Sequence, residues 1–222
     1  MLLAVDTSTS WIGLALYDGV HVLGEMTWQS KAHHTVELSP GVNELLQRCG
    51  VKASDLQVLG VAIGPGSFTS LRIGLALVKG MALALRIPVV GIPTLDALAA
   101  AQPVRDVQLA ALLQAGRGRL AVVWYEASSG KWRSRGEPQI TTAEDLVLKL
   151  NQPTRVVGEL SETERQVLAR RRKNAIMATP AQSLRRPSYL AELAWERWRQ
   201  GQVDEVISLS PIYLHIAEAI PS

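Results

Sequence analysis

Apolar runs of strand length open the chain. Residues 2–5 (LLAV) lead into Asp6 and a cluster of small hydroxyl residues, and residues 11–17 (WIGLALY) resume the apolar pattern. Asp18-Gly19 then signals a two-residue hairpin, with residues 20–28 (VHVLGEMTW) as the returning strand. The pattern predicts a three-stranded meander. Over residues 34–49 the period lengthens: Val36, Leu38, Val42, Leu45 and Leu46 recur at helical spacing, and Pro40 predicts a kink or a late helix start. Residues 58–63 (VLGVAI) and 87–92 (IPVVGI) read as buried strands, and between them a glycine-rich loop launches a helix of about 17 residues from Thr69. Thr94 is placed as the cap of the next helix, with Asp96 in its first turn. Elements in this order predict a mixed sheet with helices packed on it.

A boundary is expected near residues 100–106 (AAQPVRD), where an Ala-rich helix stops at Pro103. Strands then restart at 107–115 and 119–126, turned by AGRG at 115–118, with a short third strand at 131–135. A capped helix is predicted over 141–150, with Thr142 three residues before Asp145, then a strand at 155–159 and helices at 161–173 and 187–201. The tail from Ser210 (SPIYLHIAEAI) reads as an extended arm. The restart suggests an α/β unit built twice, although no sequence repeat is visible. Residues 1–103 would form one lobe and 104–222 another, the last helix packing back on the first lobe.

Composition narrows the class. Of the 222 residues 47% are hydrophobic and 19% charged, enough to bury a core. Lys and Arg number 23 against 20 Asp and Glu, an excess too small to argue for a nucleic-acid groove by itself. Cys49 is the sole cysteine, which excludes a disulfide framework and a thiolate metal cluster and fits a reducing compartment. Asp6 interrupts the first apolar run too early for a signal peptide, and the apolar run 75–85 carries Lys79 and is short for a membrane span. A cytoplasmic protein without a membrane partner is expected.

Two stretches could carry chemistry. In VDTSTSWIG a buried strand delivers Asp6, Thr7 and Ser8 to a turn; such a turn can offer N–H groups and hydroxyls to a phosphate, with the carboxylate reaching magnesium through water, or it can satisfy itself. In GPGSFTSLRIG, Gly64 and Gly66 allow close backbone approach and Ser67 or Thr69 can cap the next helix, whose free N–H groups suit an anion. The lysine and spacing of a P-loop are absent, so a rigid strand-to-helix corner explains the stretch equally well. His33 and His34 point about 100° apart on a helix. His33 with Glu37 supplies two ligands at most, and neither His21 nor His215 is placed nearby by any motif, so no metal site is expected. The helix after the glycine-rich loop is apolar nearly all round, with Gly74, Ala76, Gly80, Ala82 and Ala84 dispersed among larger residues. Such a helix must be covered on most sides, by its own core or by a partner helix, and we take the partner reading. The basic run 169–173 with Arg185 and Arg186, and Trp195 and Trp198 beside Arg197 and Arg199, read as solvated surface and packing or as an RNA contact.

The stretches LLAVDTSTSWIGLALYDG, HHTVELSPGVNELL and GVAIGPGSFTSLRIGLALVKGMALALRIPVVGIPTLDALA resemble the bacterial TsaB family, also called YeaZ. Beyond residue 105 the likeness thins to a strand pair and PIYLH. The resemblance implies an α/β fold of the actin-like, sugar-kinase-like class (ribonuclease H-like motif) with two lobes. It implies a non-catalytic subunit of the complex that forms N6-threonylcarbamoyladenosine at position 37 of tRNA. The chain would hold the paralogue TsaD active, through the helices around 34–49 and 70–86, and form a homodimer when alone. TsaE would join the pair, and tRNA would be met only through the complex. ATP and a divalent metal would be used by partner subunits, with none held tightly here. Interface residues would be Val36, Leu38, Leu45, Leu71, Arg72, Leu75, Leu77 and Val78; Asp6, Thr7, Ser8, Gly64, Gly66 and Ser67 would be relics of a phosphate site. The catalytic paralogue's His-x-x-x-His metal helix is broken here, since His34 is followed four later by Leu38. Ser70 replaces a usual glycine, and Gln114-Ala115-Gly116-Arg117 departs from the family's Asp-Ala-Arg. The rival readings are a small ATP-binding kinase or ATPase of the same fold, a metallopeptidase, and an RNA-binding module.

Overall fold

The first sheet grows from a strand that is buried on both faces. In the computed structural model, which describes residues 1–31, 33–170 and 173–214, β1 (Leu2–Asp6) is wholly buried. It pairs antiparallel with β2 (Trp11–Tyr17), which pairs antiparallel with β3 (Val22–Gln29); α1 (His34–Arg48) follows. β4 (Val58–Ala62) lies parallel to β1, and β5 (Val89–Ile92) parallel to β4, joined through α2 (Phe68–Leu85). α3 (Thr94–Ala100) ends this part. The sheet order is β3-β2-β1-β4-β5.

The second sheet repeats the plan. β6 (Gln108–Gln114), β7 (Leu120–Ser128) and β8 (Lys131–Ser134) form an antiparallel meander. β9 (Gln139–Thr141) adds to β7. α4 (Ala143–Lys149), β10 (Thr154–Gly158), α5 (Glu162–Ala169) and β11 (Ala175–Met177) complete the order β11-β10-β6-β7-β8. Set beside the first sheet, each has a three-strand meander whose first strand pairs parallel with the strand after the next helix.

Alternation sorts the first sheet's side chains. Leu3, Val5, Leu14, Leu16, Leu59 and Val61 face a core with Leu38, Val42 and Leu45 of α1 and Leu75, Val78 and Ala82 of α2. The opposite face is built of smaller residues, Ala4, Ala15 and Ala62 with Leu2 and Val58, and receives α6 (Pro187–Arg199) through Leu190, Ala191 and Ala194. Glycines let α6 come close: a Cβ on Gly60 would stand 2.9 Å from the Ala194 Cβ, and one on Gly13 3.3 Å from the Pro187 ring. Trp195 closes this layer, its ring edge-on to Tyr17 at 5.7 Å.

Residues Leu184–Ile212 therefore group with Met1–Gln102, and Pro103–Ser183, with Tyr213 and Leu214 among the described residues, form the second compact unit. The expected split at 103/104 gave 104–222 to the second lobe with its last helix packing back on the first, and α6 does pack there. The segment 184–212 belongs instead with the first, because α6 covers the small-residue face of its sheet.

Other expectations change locally. The β2–β3 loop spans 18–21 rather than two residues, since Tyr17 pairs with Val22. The Asp18 carboxylate accepts from the Val20 and His21 N–H groups at 2.7 and 2.6 Å, and these bonds hold it below the usual carboxylate range. α1 runs through Pro40 from His34, without the late start. Thr94 opens α3 but does not cap it; Pro93 holds the cap position. α2, at 18 residues, is long and apolar enough by composition to cross a membrane, more than the run 75–85 suggests. Its buried face packs on the sheet. The short β9 and β11 lack a periodic signal, and residues 215–222 with Arg171 and Arg172 lie outside the described residues.

The close approach at Gly60 is testable. Gly60→Val should destabilise by about 1–3 kcal/mol through overpacking, seen as a lower urea midpoint with an unchanged slope; an unshifted midpoint would mean that α6 moves freely on the sheet.

Candidate functional site

β1 ends at Asp6, and the residues after it meet the glycine-rich corner between β4 and α2. Asp6 is 5% and Arg185 3% exposed at the side chain, and Arg185 Nε donates to Asp6 Oδ2 at 2.9 Å. Arg185 Nη2 donates to Thr9 Oγ1 at 2.8 Å, while the Ser8 N–H donates to Asp6 Oδ1 at 2.8 Å. A charge so buried is tolerated because its partner and the extra hydrogen bonds compensate for lost water.

Thr7 and Ser8 lace the corner together. Thr7 Oγ1 donates to the Ser70 carbonyl at 2.7 Å, and Gly74 lacks a side chain where a Cβ would collide with that hydroxyl. The Ser67 N–H donates to the Ser8 carbonyl at 2.7 Å, and a Cβ on Gly66 would strike the same carbonyl. Ser8 Oγ shares a hydrogen bond with Thr94 Oγ1 at 2.7 Å. Thr94 Oγ1 also accepts from the Gly64 N–H at 3.1 Å, and the Thr94 N–H returns a bond to the Gly64 carbonyl at 2.8 Å. Gly64 holds φ at +107°, a backbone suited to glycine. Ser67 caps α2, accepting from the Ser70 N–H at 3.4 Å and from Ser70 Oγ at 3.0 Å. Serine at 70 thus ties its own hydroxyl to the cap.

All six proposed relic positions therefore converge on this corner. The N–H groups of Ser8, Gly64 and Ser67, the donors a phosphate would use, are directed at Asp6, Thr94 and Ser8. Arg185 and Thr94 were missed as members. Arg185 stood out in the sequence only as part of a basic cluster, and its carboxylate partner lies 179 residues away.

The segment before α6 is pinned from its other side as well. Glu25 on β3 accepts from Arg186 Nε and Nη2 at 3.0 and 2.6 Å, and from the Ser188 N–H and Oγ at 3.1 and 2.7 Å. Burial works against the Glu25 charge, yet these donors prevail and hold its carboxyl below the ordinary value of 4.5. Glu25 also sits against the N-terminus of α6, where negative charge is favoured.

The two helices named as an interface present mixed faces. Leu38, Leu45, Leu71, Leu75 and Val78 are buried in the chain's own core, so they cannot meet a partner as expected; helical periodicity turns them to the sheet. Leu77 is half-buried, while Val36 and Arg72 face outward. The outward apolar positions are Val36 at 67%, Phe68 at 52% and Leu83 at 64% exposure, and the small residues Ala76, Gly80 and Ala84 of α2 are exposed as well. The Arg72 guanidinium lies 3.7 Å over the Phe68 ring.

His34 turns inward, its Nε2 at 2.9 Å from the Thr9 carbonyl, and His33 Nδ1 stands 3.8 Å from Glu37 Oε1. Among the described residues no three His, Cys, Asp or Glu side chains converge as metal ligands would. Gln114, at the end of β6, donates to the Glu159 carbonyl at 3.2 Å and to Glu164 Oε2 at 2.6 Å.

Two ribonuclease H-like sheets in one chain define the actin-like, sugar-kinase-like class. Solved structures share the fold: EutJ from Carboxydothermus hydrogenoformans at TM-score 0.54 and 15% identity, with 86% of this chain and 88% of that one covered. YeaZ from Pseudomonas aeruginosa is more similar, at TM-score 0.80 and 26% identity, covering 96% of this chain and 99% of that one. The model of the TsaD family, tRNA N6-adenosine threonylcarbamoyltransferase, matches residues 21–197. The tRNA threonylcarbamoyladenosine biosynthesis protein TsaB of Bacillus subtilis is 31% identical over 98% of this chain and 95% of its own length. The chain belongs to the TsaB family, proteins of tRNA threonylcarbamoyladenosine biosynthesis.

The buried pair and the Glu25 anchor give two expectations. Arg185→Ala should cost about 3–5 kcal/mol by stranding Asp6, whereas the paired replacement Asp6→Leu with Arg185→Met should recover much of it; chemical denaturation of the three proteins decides. Because the Glu25 carboxyl is depressed in the folded chain, its stabilisation is present above its ordinary value and fades as pH falls through the folded one. Wild-type stability should therefore drop more steeply on acidification than that of Glu25→Gln, and parallel acid limbs would refute the anchor.

Proposed function

We propose that this chain is the non-catalytic partner of TsaD, holding it in its active arrangement by burying helix surface. The observation that carries the reading is the outward surface of the two helices: apolar Val36 on α1, and on α2 Phe68 and Leu83 with the exposed small residues Ala76, Gly80 and Ala84. Small residues let a second helix approach closely, and exposed large ones supply the apolar area that a stable interface buries. Arg72, laid across Phe68, adds a cation to that surface. The same face would serve a homodimer in isolation, since a self-complementary helix patch needs no second surface.

The corner around Asp6 supports a role without nucleotide chemistry in this subunit. A phosphate entering there would have to displace the Arg185 guanidinium and three backbone donors from partners already in place. In this reading ATP and a divalent metal serve the partner subunits, TsaE joins the pair, and the assembly works in the cytoplasm.

Size-exclusion chromatography with light scattering tests it, on the chain alone, with TsaD from the same source, and with Ala76→Glu plus Leu83→Glu. We expect a homodimer that gives way to a 1:1 heterodimer, both lost in the variant while thermal unfolding stays unchanged. A wild-type chain that remains monomeric and ignores TsaD would overturn the reading. Calorimetric titration with Mg-ATP should show no tight binding by the chain alone; tight binding would favour the kinase-like alternative.

A further inference from the structure

Charge is unevenly shared along this chain. Residues 103–183 hold 13 Lys and Arg against eight Asp and Glu, whereas the whole chain has 23 against 20. The second unit therefore carries the entire basic excess, and part of it is collected on one face of its sheet.

Register decides which side chains share that face. Directly opposed residues of an antiparallel pair project to the same side, and successive residues alternate. Glu126 opposes Arg133 and Ser128 opposes Lys131, while the Arg135 N–H donates to the Trp124 carbonyl at 2.8 Å. Trp124, Lys131, Arg133 and Arg135 thus line one face beyond the part that α4 covers. Between Trp124, Gln108, Arg135 and Lys149 lies an open cleft of about 330 Å³. Trp124 is half-buried, with one side packed against the core around Leu146 and Val122, and Arg135 and Lys149 are exposed. Glu126 lies on the same face, 3.4 Å from Arg135 Nε.

We propose that this face binds a single-stranded segment of RNA, one unstacked base entering the cleft against the Trp124 indole. The chemistry matches on three counts. An indole supported from behind is a stacking platform for any base, and the Gln108 amide can both donate to and accept from a base edge. Alternate residues of a strand stand about 6.6 Å apart, comparable with consecutive phosphates of an extended strand, so Lys131, Arg133 and Arg135 can follow a backbone. Lys149 closes the cleft from the helix side. An acidic protein would be served by the cations alone and leave the ring and the amide without a role. The proposal goes beyond the partner reading and amends the expectation that tRNA is met only through other subunits: here the second unit touches RNA itself.

Fluorescence anisotropy of the full chain with a labelled ten-nucleotide single-stranded RNA tests this without TsaD, so its failure and that of the partner reading are separable. Arg135→Gln and Lys149→Gln should each weaken binding and lower the salt slope by roughly 0.7. Trp124→Leu, which keeps apolar packing, should weaken it roughly tenfold at an unchanged slope, and Trp124→Phe should restore most of the affinity. Thermal unfolding of each variant guards against misfolding. No binding by the wild type, or binding indifferent to Trp124→Leu and Arg135→Gln, would overturn the proposal. Equal affinity for a poly-glutamate peptide of the same length, lost in the same variants, would also overturn it and assign the face to an acidic protein.

Discussion

The pairing of Asp6 with Arg185 is the constraint on which the first unit rests. Neither charge can be buried alone, because desolvating an unpaired ion costs several kcal/mol at least (~3–5 when one partner is removed). The strand that delivers Asp6 is buried along its whole length, so the carboxylate cannot retreat to water. The chain after the second unit must therefore return and place Arg185 beside it. Thr9 and the Ser8 N–H complete the shell. Once Arg185 is fixed, Arg186 reaches Glu25, Ser188 is held by the same carboxylate, and α6 starts in the right place and direction. The face of Ala4, Ala15 and Gly60 then makes sense. Small residues there leave room for a helix whose position is already set by charge.

Much of this was legible where periodicity and local chemistry agree. Ser67 followed by an apolar run announces a helix start, and the meander strands stand out because apolar runs of the right length are separated by turn residues. The repeated plan is visible as a second meander followed by helix and strand, even without sequence repetition. What was not legible has a common physical origin. α2 is apolar nearly all round, so no period distinguishes the face toward the sheet from the face toward solvent, and Leu75 and Leu83 look alike in sequence. Only the packing of Leu75, Val78 and Ala82 under the sheet separates them. Thr94 has the composition of a cap, yet Pro93 precedes it and its hydroxyl is drawn to Ser8 and Gly64. Arg185 is a surface residue by every local rule. Its burial depends on a carboxylate that only the tertiary fold brings near, and no window along the chain contains both.

The two units use one plan toward different surfaces. In the first, the sheet is enclosed between α1 and α2 on one face and α6 on the other, so what remains outward is the far side of the helices. In the second, α4 and α5 pack over one part of the sheet, and the long β7 and the edge strand β8 extend past that cover. An uncovered strand edge invites pairing with other chains, and charge is one of the ways proteins prevent it. The alternating Lys131, Arg133 and Arg135 satisfy that need whatever else they bind.

The last residue of the leading strand shows how each unit closes its own turn. Asp6 ends β1 and Gln114 ends β6, and in sheets of the same order these are matching positions. Asp6 is neutralised by a cation from a distant segment; Gln114 instead donates to Glu164, whose carboxylate also caps α5 through the Ser161 N–H at 2.7 Å. An amide can complete a helix cap without a counter-ion, so the second unit needs no equivalent of Arg185. A carboxylate at 114 would face Glu164 at hydrogen-bonding distance and repel it. The amide at 114 is therefore matched to the capping box at the start of α5, since the one Glu164 carboxylate oxygen accepts from both.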